Sequence, residues 1–168
     1  MDKRVQSLRS KLWKQNIDAL LITYPINRRY ITGFTGSSGF ALMTSDHAIL
    51  ITDPRYLIQS QQEAPDWTVV IHEGLPEKTI IDQCRVLGIR SLAFESEYVT
   101  FQMYRELKEY LREVQLIPVQ GWIEKLRAQK SPKEIERIRQ ATAIVDQVFE
   151  KVLTELRPGM TEREVATR

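Results

Sequence analysis

Apolar residues recur along this chain at two alternating periods, and the alternation predicts helices and strands in turn. Val5, Leu8 and Leu12 stand three and four apart, which places them on one face of an amino-terminal helix. DALLITY (18–24) is a compact apolar run of strand length, closed by Pro25. NRRYITG (27–33) then offers Asn27 as an N-cap and Gly33 as a left-handed stop, enough for about one and a half helical turns. FALMT (40–44) and AILIT (48–52) are joined at Ser45 and Asp46, a connection short enough to argue for an antiparallel hairpin. Asp53 reads as the next N-cap, with Pro54 at the first helical position and Pro65 as terminator.

The alternation continues downstream. WTVVI (67–71), SLAF (91–94) and VQLIPV (114–119) read as strands. Residues 76–88 read as a helix with Ile80, Cys84 and Leu87 on one face, and residues 100–112 as another with Leu107 and Leu111 four apart. Six strands separated by helices, with one antiparallel pair among crossover connections, predict an α/β fold: a six-stranded mixed sheet flanked by helices on both faces.

Near Arg127 the texture changes. Ser131, Pro132 and Glu134 form a capping-box start, after which Ile135, Ile138, Val145, Val148, Val152 and Leu156 mark one apolar stripe of a long helix that stops at RPG (157–159). Thr161 and Glu164 announce a second capping box, yet only four residues follow Glu164. The expectation is a first domain over residues 1–127, followed over 128–168 by a linker and the first one or two helices of a truncated second domain.

Composition narrows the class. The chain has 168 residues, 42% hydrophobic and 27% charged, which suits a globular protein with a sizeable core. Its 24 basic and 22 acidic residues are interspersed, so no basic stripe offers nucleic acid a footprint, and no nucleic-acid partner is expected. No run approaches the ~20 apolar residues of a membrane span, and MDKRVQSLRSKLWKQ has no apolar signal core. The expectation is a cytoplasmic protein without membrane contact. A single cysteine, Cys84, excludes an internal disulfide and reads as a small core side chain.

The stretch GFTGSSGF (33–40) is the one that invites a chemical reading. Its glycines are spaced G-x-x-G-x-x-G, whereas a dinucleotide loop requires G-x-G-x-x-G between strand and helix, and a nucleophile elbow requires G-x-S-x-G. It reads as a turn, with Gly33 ending a helix, Gly36 and Gly39 bending the chain into the hairpin, and Ser37 and Ser38 bonding the turn's backbone. His47 and His72 are far apart and read as surface or strand-edge residues, not metal ligands. Trp13, Trp67 and Trp122 read mostly as core or domain-interface residues.

Two ordered motifs carry a family resemblance. Asn27, Tyr30, Thr32, Gly33, Phe34, Gly36 and Ser37, followed by Thr52, Asp53, Arg55 and Tyr56, resemble the amino-terminal domain of the creatinase/prolidase/aminopeptidase P family, whose fold is ribonuclease H-like. The Arg-x-x-Lys-Ser-x-x-Glu-Ile-x-x-Ile run at residues 127–138 and the Arg-Pro-Gly-x-Thr-Glu turn at 157–162 are similar to the opening of that family's catalytic "pita-bread" domain.

The resemblance implies a Xaa-Pro dipeptidase or aminopeptidase of bacterial type. Such an enzyme cleaves the bond before proline with two divalent ions (manganese, cobalt or zinc) held by Asp, Asp, His, Glu and Glu. All five ligands would lie beyond Arg168, so no metal or catalytic residue is expected here and the 168-residue chain is expected to be inactive. What the resemblance leaves to this half is oligomer contact, with a homodimer expected, and capping of the pocket for proline-containing peptides. The expected lip comprises Asn27, Arg28, Tyr30, Phe34, Arg55, Tyr56 and Gln59. An arginine there offers a bidentate grip on a substrate carboxylate; the alternative is that Arg55 pairs with a nearby acid and Tyr56 packs against the sheet. Other functions left open are a partner-binding module, as in relatives without the metal site, and a creatinase-like amidinohydrolase.

Overall fold

The computed structural model describes residues 2–167, and the chain divides into two compact units between Arg127 and Ala128. The first unit runs α1 (Lys3–Gln15), β1 (Ala19–Ile22), α2 (Pro25–Thr32), β2 (Phe40–Thr44), β3 (Ala48–Thr52), a 3-10 turn (Pro54–Tyr56), α3 (Leu57–Glu63), β4 (Thr68–Ile71), α4 (Pro76–Val86), β5 (Ser91–Glu95), α5 (Phe101–Tyr110), β6 (Gln115–Val119) and α6 (Trp122–Ala128), whose last residue falls past the division. The strands form one six-stranded sheet in the order β4-β3-β2-β1-β5-β6.

The sheet is mixed because β2 runs antiparallel to both of its neighbours, while β1–β5, β5–β6 and β3–β4 pair in parallel. The hairpin of β2 and β3 is the expected one. The second antiparallel pairing, β1 with β2, was not anticipated, and it arises because the short α2 and its following loop return the chain beside the strand it left.

Side-chain alternation divides the interior into two cores. Leu20, Ile22, Ala41, Met43 and Leu50 point to one face, where Val5, Leu8 and Leu12 of α1, together with Trp122 and Ile123, cover them. Ala19, Leu21, Leu42, Ile49 and Ile51 point to the other, against Ile80, Ile81 and Cys84 of α4 and Met103 and Leu107 of α5. Strands buried on both faces read as continuous apolar runs, which is why ALLI, FALM and AILI carry almost no polar residue. At about 1.5–3 kcal/mol per fully buried aliphatic side chain, three such residues dock α1 firmly. Burial also pushes the Cys84 thiol up to about 12, so it stays a protonated core group.

Several local readings change. Pro25 does not merely close β1; it occupies the first turn of α2, whose N-cap is Tyr24, because its missing N–H and fixed φ suit that position. Asn27 therefore lies inside the helix and caps nothing. Trp67 and Trp122 are buried as expected, whereas Trp13 is 81% exposed on the outer face of α1. Helix α6 had not been anticipated.

The second unit, described by itself, is built from α7 (Pro132–Glu155) and α8 (Glu162–Ala166). Both begin with the expected capping boxes, Ser131 with Glu134 and Thr161 with Glu164. Along α7 the apolar residues Ile138, Val145, Val148 and Phe149 are exposed.

Candidate functional site

The loop between α2 and β2 is organised from beneath by a buried cation. Arg28 is 2% exposed; its Nη1 donates to the Gly39 carbonyl at 2.6 Å and its Nη2 to the Gly36 carbonyl, with the guanidinium 5.2 Å from the Phe34 ring centroid. Among the described residues no carboxylate pairs with it, and its Nε has no hydrogen-bond partner. Burial pushes this guanidinium below its ordinary pKa, against the nearby Tyr56, which raises it. An arginine remains protonated even so. The loop is thus wrapped around a fixed positive charge.

Two glycines permit that wrapping. A Cβ on Gly36 would meet the Phe34 ring at 2.1 Å, and Phe34 is itself fully buried and unable to yield. Gly39 has φ of 148°, and a Cβ there would stand 2.8 Å from the Ile51 carbonyl oxygen. Gly33 caps α2 in the left-handed conformation, as its position suggested.

Above this base lies a polar surface formed by the loop and the segment after β3. Asp53 caps the 3-10 turn by accepting from the Arg55 backbone N–H, and it also accepts both prongs of the Arg55 side chain, Nε and Nη2, each at 2.9 Å. The Arg55 pairing chiefly holds the Asp53 carboxyl below the usual range and in turn raises the guanidinium. The Arg55 side chain is nevertheless 74% exposed, with Nη1 unpartnered among the described residues. Tyr56 shares a 2.8 Å hydrogen bond with the Ser37 hydroxyl and meets Phe34 edge-on, ring centroids 5.6 Å apart. The Ser37 bond lowers the Tyr56 phenol pKa. Ser37 therefore bonds a side chain from the 3-10 turn after β3, not the backbone of its own turn as expected.

Gln59 and Glu63 of α3 complete the rim. Glu63 accepts from the Thr35 backbone N–H at 2.7 Å and from its hydroxyl, and Gln59 donates to Thr35 Oγ1 and to Glu63. The Thr35 N–H is the main reason that the Glu63 carboxyl sits below its ordinary pKa.

The structure thus brings Phe34, Arg55, Tyr56 and Gln59 to one place, together with Ser37, expected there only as a turn residue of the family motif, and Thr35 and Glu63, to which no separate role was given. Arg28 lies beneath them, buried. Asn27 and Tyr30 turn elsewhere: Asn27 is fully buried against Glu95 and Glu124, and the Tyr30 hydroxyl donates to the Leu126 carbonyl at 3.1 Å. Glu63 could have been found from its helix, since it stands four residues after Gln59 on the same face of α3.

Comparison with known proteins agrees with this architecture. The family model of the creatinase/prolidase N-terminal domain matches residues 4–129, and the chain belongs to that family. It is 36% identical over 163 residues to the uncharacterized peptidase YqhT of Bacillus subtilis, covering 97% of this chain and 46% of that protein. Among solved structures it resembles the Xaa-Pro dipeptidase from Bacillus anthracis with a TM-score of 0.92 and 36% identity, over 98% of this chain and 46% of that one. It also resembles the N-terminal domain of cytoplasmic peptidase PepQ from Mycobacterium tuberculosis, with a TM-score of 0.69 and 32% identity, over 75% of this chain and 99% of that one. The chain spans about half the length of the full-length relatives, 46% in each case.

Proposed function

We propose that this chain is the amino-terminal, non-catalytic part of a dinuclear metallopeptidase that cleaves the bond before proline. The observation that carries the reading is its likeness, over 98% of its length, to slightly less than half of a Xaa-Pro dipeptidase. Among the described residues no group of three or more His, Cys, Asp or Glu could hold a metal ion, and this reading assigns the two divalent ions of the reaction to the downstream half. Alone, the chain is then inactive. No helix among the described residues is long and apolar enough to cross a membrane. We place the enzyme in the cytoplasm as a homodimer.

The contribution of this half is to shape and shield the peptide pocket. Arg55 is the residue best suited to touch a peptide: Asp53 clamps one edge of its guanidinium, which fixes its direction, and Nη1 remains available for a carboxylate or carbonyl. Tyr56, Gln59 and Phe34 support that edge, Arg28 holds the loop from below, and Asn27 and Tyr30 brace α2.

Steady-state kinetics on a Xaa-Pro dipeptide, with the chain joined to the downstream half that its relatives possess, test this role. Arg55→Ala is expected to raise KM about tenfold while kcat stays within about twofold, the pattern of lost substrate binding. Unchanged KM would reduce Arg55 to a brace for Asp53.

A further inference from the structure

Helices α4 and α5 lie side by side on the face of the sheet away from α1, with a solvent-open groove between them. Each connects two parallel strands, so the two helices run in the same direction. Arg85 Nη2 donates to the Tyr110 carbonyl at 2.9 Å and ties their C-terminal ends level. The midpoints, Ile81 in α4 and the junction of Arg105 with Glu106 in α5, therefore stand at about the same height. The groove has a volume of about 840 Å3, and both helices line it with apolar and charged side chains. Phe101 (76% exposed), Leu75 (73%) and Tyr110 (55%) stand open along it. Large apolar side chains gathered in one groove, rather than scattered singly, mark an interaction surface.

The order of charges selects the occupant. The groove-lining residues of α5 are Phe101, Gln102, Arg105, Glu106, Glu109 and Tyr110, spaced alternately one and three apart, which keeps them on one side of the helix. Laid antiparallel on a second α5 about its midpoint, this series pairs Phe101 with Tyr110, Gln102 with Glu109 and Arg105 with Glu106, each twice. No like charges meet. The same two-fold axis, perpendicular to both helices, serves α4: Ile81 meets its counterpart, Glu77 faces Arg85, and the exposed Leu75 faces the exposed Val86. A two-fold axis parallel to the helices would instead set Asp82 against Glu106, a like-charge pair. Among the described residues Arg105 has no ion-pair partner, and Arg85 has only Asp82, at 3.5 Å.

We propose that a second copy of this chain packs its α4 and α5 antiparallel on these two helices, an isologous interface in which each copy offers the same patch. Burial of Phe101, Tyr110 and Leu75 supplies the attraction, and the two contacts between Arg105 and Glu106 fix the register. Phe34 and Tyr56 of the candidate site pack with the core on the other face of the sheet, so the pairing leaves that site uncovered. Twelve lining residues on each copy fall short of the roughly 20–30 of a standard interface, and a dissociation constant of about 10–100 µM is expected. The pairing rests on the reading of the enzyme as a homodimer, to which it gives a face.

Sedimentation equilibrium of the 168-residue protein from about 1 µM to about 1 mM tests the pairing. Arg105→Glu alone and Glu106→Arg alone each set like charges against one another twice across the axis, and each should weaken association at least tenfold. Both positions lie at the surface, so the fold should tolerate either change. Mixed in equal amounts, the two variants should associate at least as tightly as wild type, because one copy then carries two negative and the other two positive charges at the axis. A wild type that stays monomeric up to about 1 mM, single variants that pair like wild type, or a mixture no tighter than its components would overturn the proposal. The same measurement on the chain continued through the downstream half of its relatives separates this face from the homodimer reading. A longer protein that stays dimeric with Arg105→Glu keeps the homodimer and overturns this face, whereas one that is monomeric without any substitution overturns both.

Discussion

Arg28→Ala is expected to cost the first unit roughly 3 kcal/mol of stability, read as a lower urea midpoint of the 168-residue protein. Two hydrogen bonds from a charged donor contribute about 1.5–3 kcal/mol each, and their loss leaves the carbonyls of Gly36 and Gly39 buried without partners. Removing a desolvated cation returns part of that, which is why the estimate stays near the lower end of the summed range of about 3–6 kcal/mol. The consequence is local before it is global. With its support gone, the loop that carries Thr35 and Ser37 should exchange its amides faster than the sheet does. Arg28→Lys retains the charge but not the planar fork that reaches two carbonyls at once, and it should recover only part of the loss. A cost below about 1 kcal/mol for Arg28→Ala would mean that the loop is held by other contacts.

Gly39→Val is expected to be at least as damaging, at about 3–4 kcal/mol, through a different mechanism. The substitution sets a β-branched side chain at φ of 148° and drives its Cβ to 2.8 Å from the Ile51 carbonyl oxygen, a backbone atom of β3 that cannot move without breaking the sheet. The nearest relief is to shift the loop outward, which would separate the Gly39 carbonyl from Arg28. The two substitutions therefore act on one structure and should be less than additive in a double-mutant cycle. Equal thermal midpoints for wild type and Gly39→Val would contradict the close approach of loop and strand.

The sheet was legible in the chain because its strands are buried on both faces and bounded by strong punctuation. Continuous apolar runs at 19–22, 40–44 and 48–52, each ended by Pro, Ser-Asp or Asp-Pro, leave little freedom in where strands start and stop. The capping boxes at Ser131 and Thr161 were equally plain, since all their partners lie within three residues. Helix α6 is seven residues long, and its apolar Trp122, Ile123 and Leu126 are too few to show a period.

The candidate site was only half legible, for a physical reason. The Asp-x-Arg-Tyr segment is a local unit, and Asp53 capping Arg55 follows from spacing alone. Asn27 reads as an N-cap and, with Arg28, as part of the lip, yet both are buried, and the partners of Asn27 are distant along the chain: Glu95 at a separation of 68 residues and Arg127 at a separation of 100. A polar side chain satisfied by such contacts carries no signature in its neighbours. Only the fold reveals that these two adjacent residues of α2 face opposite tasks, one toward the loop and the other toward α6.

A single side-by-side assay tests the central claim most directly: hydrolysis of a Xaa-Pro dipeptide and of its Xaa-Ala counterpart by this 168-residue protein and by the same chain continued through the downstream half of its relatives, with manganese and then with excess chelator. The account predicts that the longer protein cleaves the Xaa-Pro bond in a manganese-dependent manner and strongly prefers it to Xaa-Ala, while the 168-residue protein cleaves neither. Manganese-dependent cleavage by the 168 residues alone, or no Xaa-Pro hydrolysis by the longer protein, would contradict it.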